Sequence, residues 1–354
     1  MTKKEISRIA INTGGGDAPG LNAVIRAAVL SSLNRGWEIF GIHHGYAGLL
    51  DTSKIVTLDR SMVRGITHLG GTILGTANKG NPFEIPMKMP DGSEVEVDRS
   101  DEVVENFHRL GLDAMIAIGG DGSMRIAHQL AEKGVPIVGV PKTIDNDLAG
   151  TVVTFGFDTA VTVATEAVDR LHSTAEAHER VFTVEVMGRY AGWIALHSAI
   201  AGGADVALIP EIPFDIDIVC RKIMSREARG RRFSLVVVAE GARPEGGEMV
   251  TQGPKELGRE IQLGGIGEQV AHQIADRTDK ETRNVVLGHL QRGGTPTARD
   301  RVLDLRFGAA AVRVLAEGQT DVMVALDPPT VETVPLSDAT SRMKTVPLDS
   351  DTVC

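Results

Sequence analysis

Long apolar runs are missing from this sequence: none approaches the ~20 residues that a membrane-spanning helix needs. Cysteine is scarce, with only Cys220 and Cys354 and no CxxC cluster, which excludes a disulfide framework and a thiolate metal site. The opening stretch, MTKKEISRIAINTGGG, lacks the apolar core and small-residue cleavage site of a secretory signal, so the expected compartment is the cytoplasm. Positive charge is in deficit. A net charge of −10 opposes nonspecific binding to a nucleic-acid backbone, so any anionic ligand must meet locally clustered Arg and Lys. No short-period repeat or low-complexity linker divides the chain.

What is present is an ordinary globular composition, 42% hydrophobic and 24% charged, which argues against disorder and against a membrane protein. At 354 residues the chain can bury a large interior and is long enough for two domains. Short β-branched runs recur at 8–13, 114–118, 135–140, 181–187, 206–210, 233–240 and 283–288, and continuous apolar strands of this kind suit a parallel sheet covered on both faces. Amphipathic stretches lie between them, one ending at Gly36 and one, beginning at Asp158, that this Asp is expected to cap. The class is α/β, with two sheets expected. Residues 88–102 read as a hairpin or surface excursion around Asp91-Gly92, and the Pro, Thr and Ser-rich tail after Asp327 says little.

In open parallel sheets, ligands collect beyond the carboxyl ends of the strands. Three strand ends here carry related chemistry: TGGGDAPGLN (13–22), IGGDGS (118–123) and PKTIDND (141–147). The first two are strand, glycines with an Asp, then helix, which offers backbone N–H groups and a helix N-terminus to an anion. Neither is a common nucleotide motif. No Gly-Lys-Ser/Thr follows the first loop, so it is not a Walker A sequence, and Pro19 stands where a dinucleotide fingerprint requires its third glycine. The third loop holds Lys142, Thr143, Asp145 and Asp147. It reads either as a polar turn, or as a phosphoryl-transfer site in which a carboxylate takes a proton from an alcohol while a cation and a hydroxyl hold the phosphate.

GGDAPGLNAVIR, GGDGS, PKTIDND, EVMGRYAGW, AEG and ETRNVVLGHLQRGG, in this order, resemble the 6-phosphofructokinases over roughly residues 8–317. The likeness is to the bacterial group that holds both ATP-using and pyrophosphate-using members. It implies two Rossmann-like three-layer domains with mainly parallel sheets: a donor domain of 1–156 plus about 291–340, a sugar-phosphate domain of 157–290, and a tail of 341–354. The resemblance also implies ATP-dependent conversion of fructose 6-phosphate to fructose 1,6-bisphosphate in glycolysis, with Mg²⁺, in a homo-oligomer, usually a tetramer. Gly16, Gly120, Gly122 and Ser123 are expected around the donor phosphates and Asp121 on the metal. Asp145 is the expected general base for the sugar 1-hydroxyl. An ordinary Asp, with a pKa of about 3.9, is a weak base at neutral pH, which suffices if the proton moves late. Thr143 is expected on the phosphoryl oxygens, with Asp147 orienting its neighbours or reaching the metal shell. The expected sugar-phosphate ligands are Arg283, His289 and Arg292, with Glu240 on the sugar hydroxyls and Met187, Gly188 and Arg189 against the sugar. Arg189 also faces the transferring phosphoryl. Arg180 and Arg283 are expected to reach a neighbouring subunit's site.

Within this family the residues at Gly122 and Lys142 separate the donors. Glycine leaves open the space that a carboxylate would close against the α-phosphate of ATP, whereas Lys142 is usual in pyrophosphate users; exclusion is the harder constraint, so ATP is expected. Asn78 and Lys79 stand where many ATP users carry an arginine, and Lys79 is expected to supply that charge. Arg26, Lys54 and Glu211 match effector-site positions, while Leu30 and His172 replace arginines there, so effector control is expected to be weak or altered. Two rival readings are pyrophosphate-dependent transfer to the same sugar and a noncatalytic sugar-phosphate or nucleotide sensor.

Overall fold

The computed structural model describes residues 6–77, 80–253 and 261–353. From the amino end run β1 (Arg8–Thr13), α1 (Leu21–Leu33), β2 (Glu38–Ile42) and β3 (Ile55–Thr57). A hairpin of β4 (Ile85–Lys88) and β5 (Glu94–Val97) leads to α2 (Ser100–Arg109), β6 (Ala114–Gly119), α3 (Asp121–Glu132) and β7 (Ile137–Pro141). Then follow α4 (Phe157–His178), β8 (Val181–Val186), α5 (Trp193–Ala201), β9 (Val206–Leu208), α6 (Ile216–Ala228), β10 (Ser234–Ala239), α7 (Ile266–Thr278) and β11 (Thr282–Val286). The remaining elements are α8 (Ala298–Ala316), β12 (Val322–Asp327), β13 (Thr330–Pro335) and α9 (Leu336–Ser341).

Every residue of β6, β7, β8 and β10 is buried, which is why these strands are apolar without alternation: helices cover both faces. They belong to two sheets. The larger has the order β13-β12-β7-β6-β1-β2-β3, parallel through its five middle strands and antiparallel at both edges. The smaller, β11-β8-β10-β9, is parallel throughout. Around the large sheet, Ile9, Ile116, Val138, Phe307 and Val324 share one core; Ala164, Val184, Ile194 and Val237 share another beside the small one. Helix α8 returns to the first core and lies against α1 at Gly308, where any Cβ would strike the Val24 carbonyl. Among the described residues, no helix is long and apolar enough to cross a membrane.

The 88–102 excursion is the β4–β5 hairpin, closed by Met89 N–H donating to Ser93 O at 2.8 Å, with Asp91 Oδ1 accepting from Ser93 N–H. One expectation needs correction. Asp158 does not cap α4: Gly156 is the N-cap, and Asp158 lies in the first turn, where its Oδ2 accepts from the Thr297 hydroxyl at 2.6 Å. The tail after Asp327, about which the sequence says little, forms β13 and α9 and packs on the cores.

Candidate active site

Strands β1, β6 and β7 are adjacent and parallel, so the loops leaving their carboxyl ends are side by side. Backbone bonds lock that alignment: Gly14 N–H donates to Ile118 O and Lys142 N–H to Gly119 O, both at 2.8 Å. Lys142 then reaches back with its side chain and its ammonium donates to the Gly16 carbonyl, joining the third loop to the first. Only 4% of Lys142 is exposed. Burial, and then the Arg292 charge, pull its pKa down to about 8 against the pull of Asp145, Asp17 and Asp147. An ammonium so poorly solvated is ready to exchange a carbonyl for a phosphate oxygen.

The 142–147 loop is held from inside. Asp145 N–H donates to Thr143 Oγ1 at 3.0 Å, the Thr154 hydroxyl donates to Thr143 O at 2.7 Å, and Thr154 N–H donates to Asn146 Oδ1 at 3.0 Å. Asn146 adopts φ 52, the left-handed region that Asn tolerates better than most residues. This turn sets Asp145, 5% exposed, and Asp147 on either side of it. Burial pushes Asp147 up to about 7, and the neighbouring Asp145 charge adds to the rise. Asp147 Oδ1 is buried without a hydrogen-bond partner.

The small sheet supplies the facing wall. Glu240 follows β10, and its Oε1 accepts from Arg189 N–H at 3.0 Å. Arg189 has φ 49 and follows Gly188, φ 140, so the turn after Met187 brings backbone to the carboxylate. Glu240 is pushed up to about 7 by burial, against the Arg189 hydrogen bond, with the Asp145 charge adding to the rise. From the chain after β11, Arg292 donates Nη1–H to Asp17 O at 3.0 Å and lies against Gly16, whose Cβ, if present, would collide with it. His289 in the same turn is exposed.

On the donor side, Gly120 is the N-cap of α3, and Gly122 and the buried Ser123 lie in its first turn. A Cβ at Gly122 would meet nothing within 4 Å. Asp121 pairs with Arg125 one turn along, at 2.6 Å, in a solvent-exposed bridge that is easily exchanged. Among the described residues, no three metal-type side chains cluster. One carboxylate beside a cradle of backbone N–H groups still fits Mg²⁺, which keeps several waters and takes its other ligands from phosphate.

Some expected residues stand apart. Arg180 and Arg283 sit at the amino ends of β8 and β11, roughly 20 Å of strand away from Arg189 and Glu240, and both pair with Glu281. Asn78 and Lys79 lie outside the described residues. Of the effector-site matches, Arg26 donates to Val63 O at 2.6 Å, Lys54 ends the turn before β3, and Glu211 accepts from Gly192 and Val346 N–H groups. Leu30 packs against the first core, and His172 Nε2 contacts Gly202 O at 2.7 Å. Sequence reasoning missed Lys344, whose ammonium meets Asn146, and Asp17, whose carbonyl holds Arg292.

Residues 8–315 match the family model described as phosphofructokinase. The ATP-dependent 6-phosphofructokinase of Chloroflexus aurantiacus is 53% identical over 347 residues, 98% of this chain and 94% of that one. The pyrophosphate–fructose 6-phosphate 1-phosphotransferase of Amycolatopsis mediterranei is 50% identical, covering 97% of each chain. Among solved structures, the T-state phosphofructokinase of Pichia pastoris is similar with a TM-score of 0.81 and 31% identity, covering 96% of this chain but 36% of that much longer one.

Proposed function

This chain belongs to the phosphofructokinase family, and from that premise we propose how its residues divide the reaction. The protein is an ATP-dependent 6-phosphofructokinase, a glycolytic phosphotransferase that converts fructose 6-phosphate to fructose 1,6-bisphosphate. The observation that carries the division is the meeting of the strand-end loops, where the Lys142 ammonium donates to Gly16 O and Arg292 donates to Asp17 O.

The sugar lies against the small sheet, with Glu240 accepting from its hydroxyls and Met187, Gly188 and Arg189 beneath it. His289 and Arg292 take the 6-phosphate, for which the Arg fork is suited to two oxygens at once. Arg292 already stands beside Gly16, so it also ties the sugar phosphate to the donor loop. The sugar 1-hydroxyl then faces Asp145, which removes its proton as the bond to phosphorus forms. Asp147 orients its neighbours, and Thr143, Arg189 and Lys142 meet the transferring phosphoryl oxygens as charge spreads over them.

The donor lies over Gly16, Gly120, Gly122 and Ser123, with Asp121 as the residue that holds Mg²⁺. When bound, the ion neutralises donor phosphate charge. Open space at Gly122 supports ATP, and the likeness to a pyrophosphate-named relative at 50% identity makes donor choice the point to test. The working unit is a homo-oligomer, with Arg180 and Arg283 completing a neighbour's sugar-phosphate site, and its compartment is the cytoplasm. Initial rates on fructose 6-phosphate with Mg²⁺ and either ATP or pyrophosphate decide the donor. Faster turnover with pyrophosphate would mean that Lys142, not Gly122, sets the choice, and binding of both ligands without turnover would identify a sensor.

A further inference from the structure

After α9 the chain crosses from the large sheet to the small one, and residues 343–346 pass beside the 142–147 loop. This strap is fastened at Met343, Lys344 and Val346. Met343 bridges to Leu148, Lys344 N–H donates to Asp147 O at 2.7 Å, and the Trp193 indole N–H donates to Lys344 O at 3.0 Å. Val346 N–H donates to Glu211 Oε1 at 2.9 Å, and its side chain, 3% exposed, belongs to the second core.

Within the strap, the Lys344 side chain bonds to the loop. Its ammonium donates to Asn146 Oδ1 at 2.7 Å, Thr151 O at 2.9 Å and Val152 O at 3.1 Å. An ammonium has three N–H donors, and one loop uses all of them. The Trp193 ring, 5.7 Å away, covers the same cation. Burial lowers the Lys344 pKa to about 8, with Asp147 pulling the other way. A half-buried cation is poor evidence of a gain in stability, because desolvation offsets its attractions. What it does fix is geometry. Asn146 is the left-handed residue between Asp145 and Asp147, and its Oδ1 is shared between Lys344 and Thr154. Taking the ammonium away leaves two carbonyls unpaired and lets the turn rotate, and rotation there re-aims both carboxylates.

We propose that Lys344 is a positioning residue for phosphoryl transfer: the C-terminal strap delivers its ammonium to Asn146 and the 151–152 backbone, and this holds Asp145 aimed at the sugar hydroxyl. The proposal rests on Asp145 being the base. It goes further in assigning part of the active-site geometry to a segment outside every recognisable motif.

The test is steady-state kinetics of the full-length protein with fructose 6-phosphate, ATP and Mg²⁺, comparing wild type, Lys344→Met and Lys344→Arg. For Lys344→Met, kcat falls between about ten- and a hundred-fold, as a small misplacement of a reacting group does, while both KM values stay within about two-fold. Lys344→Arg, which keeps charge and donors, recovers part of that loss. A Lys344→Met enzyme with wild-type kcat and a lowered Tm overturns the proposal, and so does a raised KM with kcat intact. Should Lys344→Met not fold, the neutral polar Lys344→Gln is measured in its place with the same expected loss of kcat; failure of both to fold places Lys344 in the fold and not in the transfer step. The wild-type rate, taken first, reads the function itself, so an error there is distinguishable from an error about Lys344.

Discussion

Asp145 and Gly122 sit a few residues from glycine turns, yet one is closed in and the other faces open space. Replacing Asp145 by Asn keeps the shape of the loop and removes the proton acceptor. The expected result is a fall in kcat of about a hundred-fold or more with fructose 6-phosphate KM little changed, within the range that general-base removal produces; near-wild-type turnover would exclude Asp145 as the base. Gly122→Asp adds a side chain where nothing obstructs it, and in the first turn of α3 an acid is favourable to the helix. Folding should therefore be kept, while kcat/KM for ATP drops by at least about ten-fold through like-charge repulsion, and the pyrophosphate rate does not. Equal losses with both donors would show that position 122 does not discriminate. At this scale the sequence was informative where chemistry is local: Lys142, Thr143 and Asp145 occupy one run, and the structure brings that run to the strand ends. Lys344 was illegible because its partners precede it by nearly 200 residues, and nothing nearby marks it.

Helix α8 carries an unusual burden for an element that packs against α1. Asp304 is 0% exposed, neither of its oxygens has a hydrogen-bond partner, and it abuts Gly20, the N-cap of α1. Burial, then the neighbouring Asp300 charge, raise its pKa well above the ordinary carboxylate value. The folded state therefore holds this proton to a higher pH than the unfolded chain, whose Asp titrates near about 3.9. Its contribution to stability is present below that pH and is lost as pH rises toward the folded value. Asp304→Asn keeps the shape and cannot ionise. By calorimetry it should melt above wild type at pH 8, with the gap closing toward pH 4; a gap independent of pH would rule out ionisation as the cause. The strands show the same division between visible and hidden. Those buried on both faces read plainly from apolar runs, whereas β13, half-buried and alternating at the sheet edge, and β3, three residues long, carry too little pattern to stand out.

For the molecule as a whole, one chain does not bring all the expected phosphate ligands together. Arg180 and Arg283 lie at the amino ends of β8 and β11, the opposite ends from the turn that holds Arg189. If they serve a neighbour, Asp145→Asn and Arg283→Ala chains are each nearly inactive alone but complementary when mixed after subunit exchange, because some sites then receive an intact Asp145 and an intact Arg283. No recovery in the mixture would mean that each chain works with its own residues. The large-scale plan was legible because six motifs recur in family order, while the crossing of the carboxyl end from one sheet to the other was not, since neither Pro-rich spacing nor hydropathy records which surface an extended segment will cover.

That crossing also bears on when the protein becomes competent during synthesis. Translation delivers both sheets and all three loops before it delivers residues 343–346. A nascent chain can thus collapse around its cores while Asn146 still lacks its cation, so on the Lys344 proposal the turn between Asp145 and Asp147 gains its final aim only when the strap docks.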